Sequence, residues 1–129
     1  MYSQQVMSHF ENPRNVGDIP DADATVRVEN PACGDIMQLS LRLSREKGTG
    51  HSARIEDARF RIRGCVTSIA CGSVLTEMLR GKSVAEAMTI QRNEVVETLG
   101  GLTNETMHGS YLVMDALTAA LSQLSSNKG

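Results

Sequence analysis

The chain reads as an α+β fold, a small three-stranded antiparallel sheet with helices packed on one face, and three observations predict it. Two segments alternate apolar and polar residues with a period of two. After Cys65 the apolar spacing changes to that of helices, and the segment between the two long strands carries Gly48 and Gly50, which suits a hairpin loop rather than a crossover helix. Strands followed by a run of helices form one sheet whose apolar face the helices cover.

Taken in order, Ser3 is placed to cap a first helix carrying Val6, Met7 and Phe10, and Asn12-Pro13 stops it because the residue before a proline leaves the α region. Val26 and Val28 mark a short strand before Cys33. Met37, Leu39, Leu41 and Leu43 alternate with Gln38, Ser40 and Arg42, which sends one face inward and the other to water. Ala58, Phe60 and Ile62 alternate with Arg59, Arg61 and Arg63 in the same way, with Ser44 to Ser52 as the hairpin loop between. Cys71, Val74, Leu75 and Met78 then fall at i, i+3, i+4 and i+7, a helix stripe that Gly81 ends. Ser83-Val84-Ala85-Glu86 fits a capping box, and a further helix runs from about Asn93 to Leu99, closed by Gly100-Gly101. A last helix follows Ser110 with the stripe Val113, Ala116, Leu117, Ala120 and Leu124, ahead of a polar tail at 125–129 expected to be disordered.

At 129 residues the sequence is expected to form one domain over 1–129. Aromatic residues make up only 3% of it, with no Trp and seven Met, so the core is aliphatic and adaptable. A formal charge of −2 supplies no field to draw nucleic acid or an anionic membrane. The sequence has no run of 18 apolar residues, and its start lacks the basic and apolar parts of a secretory signal, so a cytoplasmic location is expected. Three cysteines in such a chain favour thiol, metal or core roles over a disulfide framework.

Three separated stretches carry soft or imidazole ligands beside glycine: Asn30-Pro31-Ala32-Cys33-Gly34-Asp35, Arg63-Gly64-Cys65 and Met107-His108-Gly109. Cys33 and Asp35 fall in a turn, Cys65 leaves the second long strand to open a helix, and His108 precedes the last helix. A thiol at a helix N-terminus meets unpaired amides and the positive end of the helix dipole, which favour the thiolate. Spacing alone leaves two readings open, a shared metal site or a turn aspartate with unrelated thiols, because no pair follows a CxxC or HxxxH pattern.

The same stretches resemble the IscU/NifU-type iron–sulfur cluster scaffold proteins, a group that includes SufU. The likeness runs from Tyr2-Ser3-Gln4-Gln5 through Glu11-Asn12-Pro13-Arg14-Asn15-Val16-Gly17 to Asn30-Pro31-Ala32-Cys33-Gly34-Asp35. It continues through Ile55-Glu56-Asp57-Ala58-Arg59-Phe60-Arg61-Ile62-Arg63-Gly64-Cys65, Ser68-Ile69-Ala70, Thr76-Glu77 and Gly81-Lys82-Ser83, and weakly into Asp115-Ala116-Leu117. The resemblance implies a NifU/SufE-like fold that builds a transient [2Fe–2S] cluster with sulfur from a cysteine desulfurase and passes it to apo-proteins. It matches Cys33, Asp35 and Cys65 to ligand positions and places His108 beside them. It also implies a third cysteine where this chain has Gly109, and a Leu-Pro-Pro-Val-Lys chaperone motif where this chain has Leu102-Thr103-Asn104-Glu105-Thr106.

Cys71 is the available substitute thiol, but six helical residues turn about 600° and rise about 9 Å, so Cys65 and Cys71 would point about 120° apart. Cys71 is therefore read as a buried small hydrophobe. Cys33, Asp35, Cys65 and His108 remain as four donors for iron, a [2Fe–2S] cluster or tetrahedral zinc. The leading expectation is a non-enzymatic scaffold or carrier. The alternatives are a zinc-dependent sulfurtransferase in which Cys33 or Cys65 accepts a persulfide, and a relative that keeps the fold without metal chemistry. A homo-oligomer that shares ligands between subunits fits the missing thiolate. His9 and His51 are read as a surface helix residue and a loop residue. Arg59, Arg61 and Arg63 are read as a solvated outer strand face rather than a dock for an acidic partner.

Overall fold

The computed structural model describes residues 2–31, 34–44, 53–104 and 106–126. The loop expected at 44–52 falls outside these residues except for Ser44, as do Cys33, His51 and the end of the tail at 127–129. The order is α1 (Gln4–Glu11), β1 (Ala24–Glu29), β2 (Ile36–Leu43), β3 (Ile55–Arg63), α2 (Val66–Leu79), α3 (Val84–Ala87), α4 (Arg92–Thr98) and α5 (His108–Ser126). The strands form one antiparallel sheet in the order β1-β2-β3.

Strand alternation and register agree. Leu39 pairs with Val26 and Phe60, and Leu41 with Ala24 and Ala58, so apolar side chains from all three strands share one face. Helix α2 covers that face over β3, and α5 covers it over β1 and β2. Met37, Leu39, Leu41, Ala58 and Phe60 are buried there with Val113, Ala116, Leu117 and Ala120 of α5. On the opposite face Arg59 pairs with Asp57 at 3.2 Å and Arg61 with Asp18 at 2.9 Å, while Arg63 is exposed.

Local signals account for most of the helix limits. The Ser3 hydroxyl accepts the Val6 amide at 3.0 Å and donates to the Leu99 carbonyl, which fastens the start of α1 to the end of α4. In α3, Ser83 and Glu86 exchange hydrogen bonds of 2.8 and 3.0 Å, the reciprocal pair of a capping box. The Gln91 amide donates to Glu94 Oε1 at 2.6 Å, so α4 begins at Arg92, one residue before the expected start.

Three expectations change. Helix α2 is not a one-sided stripe, since Thr67, Ser68, Gly72, Ser73 and Thr76 are buried along with Cys71, Val74 and Leu75. It is enclosed by α1, β3, α4 and α5, and a helix covered on all sides carries no single apolar stripe. Helix α5 begins at His108 rather than after Ser110, because the Ser110 amide and hydroxyl both bond to the Met107 carbonyl, at 3.0 and 2.7 Å, inside a first turn already formed. At its other end α5 continues through Ser126, so Ser125 and Ser126 are helical where a disordered tail was expected.

The first turns of α2 and α5 approach closely at Gly109. A Cβ built there would lie 3.0 Å from Ser68 Cα and 3.1 Å from Ser68 N, inside ordinary contact distance. Glycine is what lets the two helix starts meet.

His9 is a further correction, being only 9% exposed rather than a surface residue. Its Nδ1 lies 2.7 Å from Ser73 Oγ, and that hydroxyl accepts the Arg14 amide at 2.9 Å. The Ser73 proton is thus available to His9 Nδ1, which suits the neutral ring with its proton on Nε2, on the side facing Glu77 at 3.8 Å. Burial and the nearby Arg14 charge, opposed by Glu77, hold the His9 pKa below its usual value.

Two outcomes follow from these contacts. A histidine with a depressed folded-state pKa leaves the unfolded chain binding more protons, so its stabilisation is complete above about pH 6.5 and declines as pH falls below that. Urea titrations between pH 7.5 and 5 should show falling stability, with a shallower decline in His9→Gln; an equal slope in the variant would remove His9 as the cause. Gly109→Ala should lower the stability of the metal-free protein by about 1 kcal/mol, crowding against Ser68 outweighing alanine's better helix propensity. A more stable variant would mean that α5 moves off α2 without cost.

Candidate metal centre

The sheet register brings the first donor to the site. Ile36 pairs with Arg63, so Asp35 and Gly64 lie side by side where β2 begins and β3 ends. The loop carrying Asp35 is closed by Asn30, whose amide donates to the Asp35 carbonyl at 2.9 Å and whose carbonyl accepts the Gly34 amide at 2.7 Å. Gly34 has a φ of +79° in this turn. Gly64 clears the way for the carboxylate, since a Cβ there would stand 2.5 Å from Asp35 Cγ.

Cys65 follows as the N-cap of α2, and its side chain makes no capping hydrogen bond. The Asp35 carboxylate stands at that helix start instead. Its Oδ2 accepts the Ser68 hydroxyl at 2.6 Å and the Cys65 amide at a long 3.5 Å. A negative charge at the positive end of a helix dipole is favourable. Asp35 is 8% exposed, and burial by itself would raise its pKa. The hydrogen bonds from Ser68 and Cys65, together with the His108 charge, more than offset burial and hold the carboxyl below its usual range.

His108, the first residue of α5, completes the group. Its Nε2 lies 3.2 Å from Cys65 Sγ and 3.5 Å from Asp35 Oδ2, and one donor atom from each of the three residues falls within 4.8 Å of the others. Bonds of about 2.0–2.3 Å to one ion place tetrahedral ligand atoms about 3.3–3.8 Å apart, so the two His108 spacings suit a single metal, and the 4.8 Å bound on the group allows the rest to close in by about 1 Å. Cys65 and His108 are half-buried, which leaves the group open to exchange with solvent or a partner.

Of the four donors expected from sequence, Asp35, Cys65 and His108 converge, and Cys33 lies outside the described residues. Cys71 is fully buried, and burial with the nearby Cys65 pushes its thiol up to about 12, so it stays protonated and unreactive. His9 is occupied by Ser73 and Glu77. The residue that sequence reasoning did not single out is Ser68. It is fully buried, bonds to Asp35, and has its Oγ 3.3 Å from Cys65 Sγ. Its position three residues after Cys65, one helical turn on, is the available signal.

Comparison with known proteins bears on the family and the fold. The family profile described as the NifU-like N terminal domain matches residues 1–129. The iron–sulfur cluster assembly scaffold protein IscU 1 of Archaeoglobus fulgidus is 46% identical over 121 residues, covering 94% of this chain and 74% of the relative. The scaffold protein IscU of Escherichia coli K12 is 40% identical over 130 residues, covering 98% of this chain and 96% of the relative. In overall fold, the N-terminal NifU-like protein of Brucella abortus superposes with a TM-score of 0.73 at 15% identity, covering 96% of this chain and 94% of that one. The SufU protein of Fervidobacterium islandicum superposes with a TM-score of 0.71 at 22% identity, covering 93% and 96%. With a profile match along the chain, curated relatives above 30% identity and the same three-stranded fold, the chain belongs to the NifU-like N-terminal domain family.

Proposed function

We propose that this chain is an iron–sulfur cluster assembly scaffold of the cytoplasm, on which Asp35, Cys65 and His108, joined by Cys33, hold iron and a transient [2Fe–2S] cluster. The observation that carries the reading is the convergence of a carboxylate, a thiol and an imidazole from three separate segments within 4.8 Å. Relatives that align over nearly the whole chain bear the scaffold name. The cluster is cargo on this reading. Sulfur comes from a cysteine desulfurase, and the finished cluster leaves to apo-proteins.

The donor set suits a carrier. One carboxylate and one imidazole among the ligands bind iron less softly than an all-thiolate cage does, which favours release. The half-exposed Cys65 is placed to meet both the sulfur source and the recipient. No helix among the described residues is long and apolar enough to cross a membrane.

A second reading has its own support. All three donors sit within reach of a single tetrahedral ion, whereas a two-iron cluster divides its ligands between two metals. Zinc held this way, with Cys33 or Cys65 released to accept a persulfide, describes a sulfurtransferase rather than a scaffold.

Anaerobic reconstitution with iron, cysteine, a desulfurase and a thiol reductant, which supplies the electrons that turn persulfide sulfur into sulfide, tests both. The scaffold reading expects iron and acid-labile sulfide in equal amounts, about one [2Fe–2S] cluster per chain or per dimer; zinc that resists iron, with stimulation of the desulfurase, would replace it. Cys65→Ser should lose the metal. Cys71→Ser should keep it and lose about 1–2 kcal/mol of stability through a buried hydroxyl. Equal metal retention in the two variants would overturn the site.

A further inference from the structure

Resting on the metal-centre reading above, we propose that Ser68 is a positioning residue for that centre, fixing the Asp35 carboxylate in place where the starts of α2 and α5 meet. Three observations meet at this side chain. Its hydroxyl bonds to Asp35 Oδ2 at 2.6 Å, the shortest polar contact among the described groups around the centre. The same oxygen lies 3.3 Å from Cys65 Sγ, so it touches two donors at once. Ser68 also provides all three of the nearest atoms that a Cβ at position 109 would meet, its Cα at 3.0 Å, its N at 3.1 Å and its Oγ at 3.2 Å.

These contacts give Ser68 two consequences. The Ser68 hydroxyl at 2.6 Å and the more distant Cys65 amide both fall on Oδ2, and a short bond to one oxygen fixes the rotation of the whole carboxylate. Hydrogen-bonded partners of metal ligands orient those ligands, and their loss commonly costs 10–100-fold in metal affinity. Without Ser68, the short bond on Asp35 is gone, and what is left includes the long contact from the Cys65 amide, the Cys65 thiol and the approach of His108 at 3.5 Å. The second consequence concerns position 109. Two of its three contacts are with Ser68 backbone, so a side chain there would press on the start of α2 as well as on the hydroxyl that holds Asp35. The site of this chain is thereby built around Asp35, Cys65 and His108, with Ser68 against both Asp35 and Cys65.

The test measures zinc and cobalt(II) affinity of the full chain under anaerobic conditions, by competition with a chromophoric chelator, for wild type, Ser68→Ala, Asp35→Ala and the double variant. Ser68→Ala is expected to bind about 10–100-fold more weakly. In the Asp35→Ala background the same change is expected to cost nothing further, because Ser68 acts through Asp35. The apo-protein melting curve of Ser68→Ala checks that the fold is retained, and its cobalt(II) spectrum should keep the thiolate and imidazole bands while the weak ligand-field bands shift. Unchanged affinity in Ser68→Ala beside a clear loss in Asp35→Ala would overturn the role of Ser68 and leave the metal centre standing. An equal loss in both backgrounds would also overturn it, by making the effect independent of Asp35. If neither Asp35→Ala nor Cys65→Ser weakened binding, the metal-centre reading itself would fall.

Discussion

A buried carboxylate is expensive unless its oxygens are bonded, and satisfying Asp35 is the constraint around which this end of the molecule is arranged. It is met by the start of α2, through the Ser68 hydroxyl and more distantly the Cys65 amide. The same arrangement requires glycine at position 64, because the carboxylate occupies the space of a side chain there. It requires the β2–β3 register as well, since that pairing sets Asp35 beside Gly64. A slip of one residue would turn every side chain of β2 to the other face and carry Asp35 away from α2.

The candidate metal centre uses ends of elements throughout. Asp35 comes from a turn, Cys65 from a helix cap and His108 from the first residue of a helix, while the sheet and the enclosed α2 hold those ends at fixed spacing. This division suits cargo that must be built and released. A rigid body sets donor positions, and the half-exposed donors at its rim remain within reach of partners. The thiol that packing buries, Cys71, is kept out of the chemistry by the same rigidity, with its pKa pushed up to about 12.

The substitution of glycine at position 109 for the expected cysteine alters packing as well as the number of thiolates. With a bare backbone there, α5 settles against Ser68, and His108 comes within 3.2 Å of Cys65 Sγ. Arg92 supports this end of α5, its guanidinium lying 4.4 Å above the Tyr111 ring and bonding to Ser110 Oγ at 3.3 Å.

How much of this was legible beforehand depends on the range of the interactions involved. Strand alternation in Met37 to Leu43 and Ala58 to Ile62, the Ser3 cap, the Ser83/Glu86 box and the apolar stripe of α5 all depend on neighbours a few residues away, and all could be read from the sequence. The candidate donors were legible too, as residue types set beside glycines. What only the tertiary structure decided are matters of contact between distant segments: the burial of His9 against Ser73, the enclosure of α2 on all sides, the start of α5 at His108, and the role of Ser68 between Asp35 and Gly109. Periodicity reports which face of an element is apolar. It carries no record of which polar atom will be left needing a partner once two faces meet, and that need is what put Ser68 at the centre of the site.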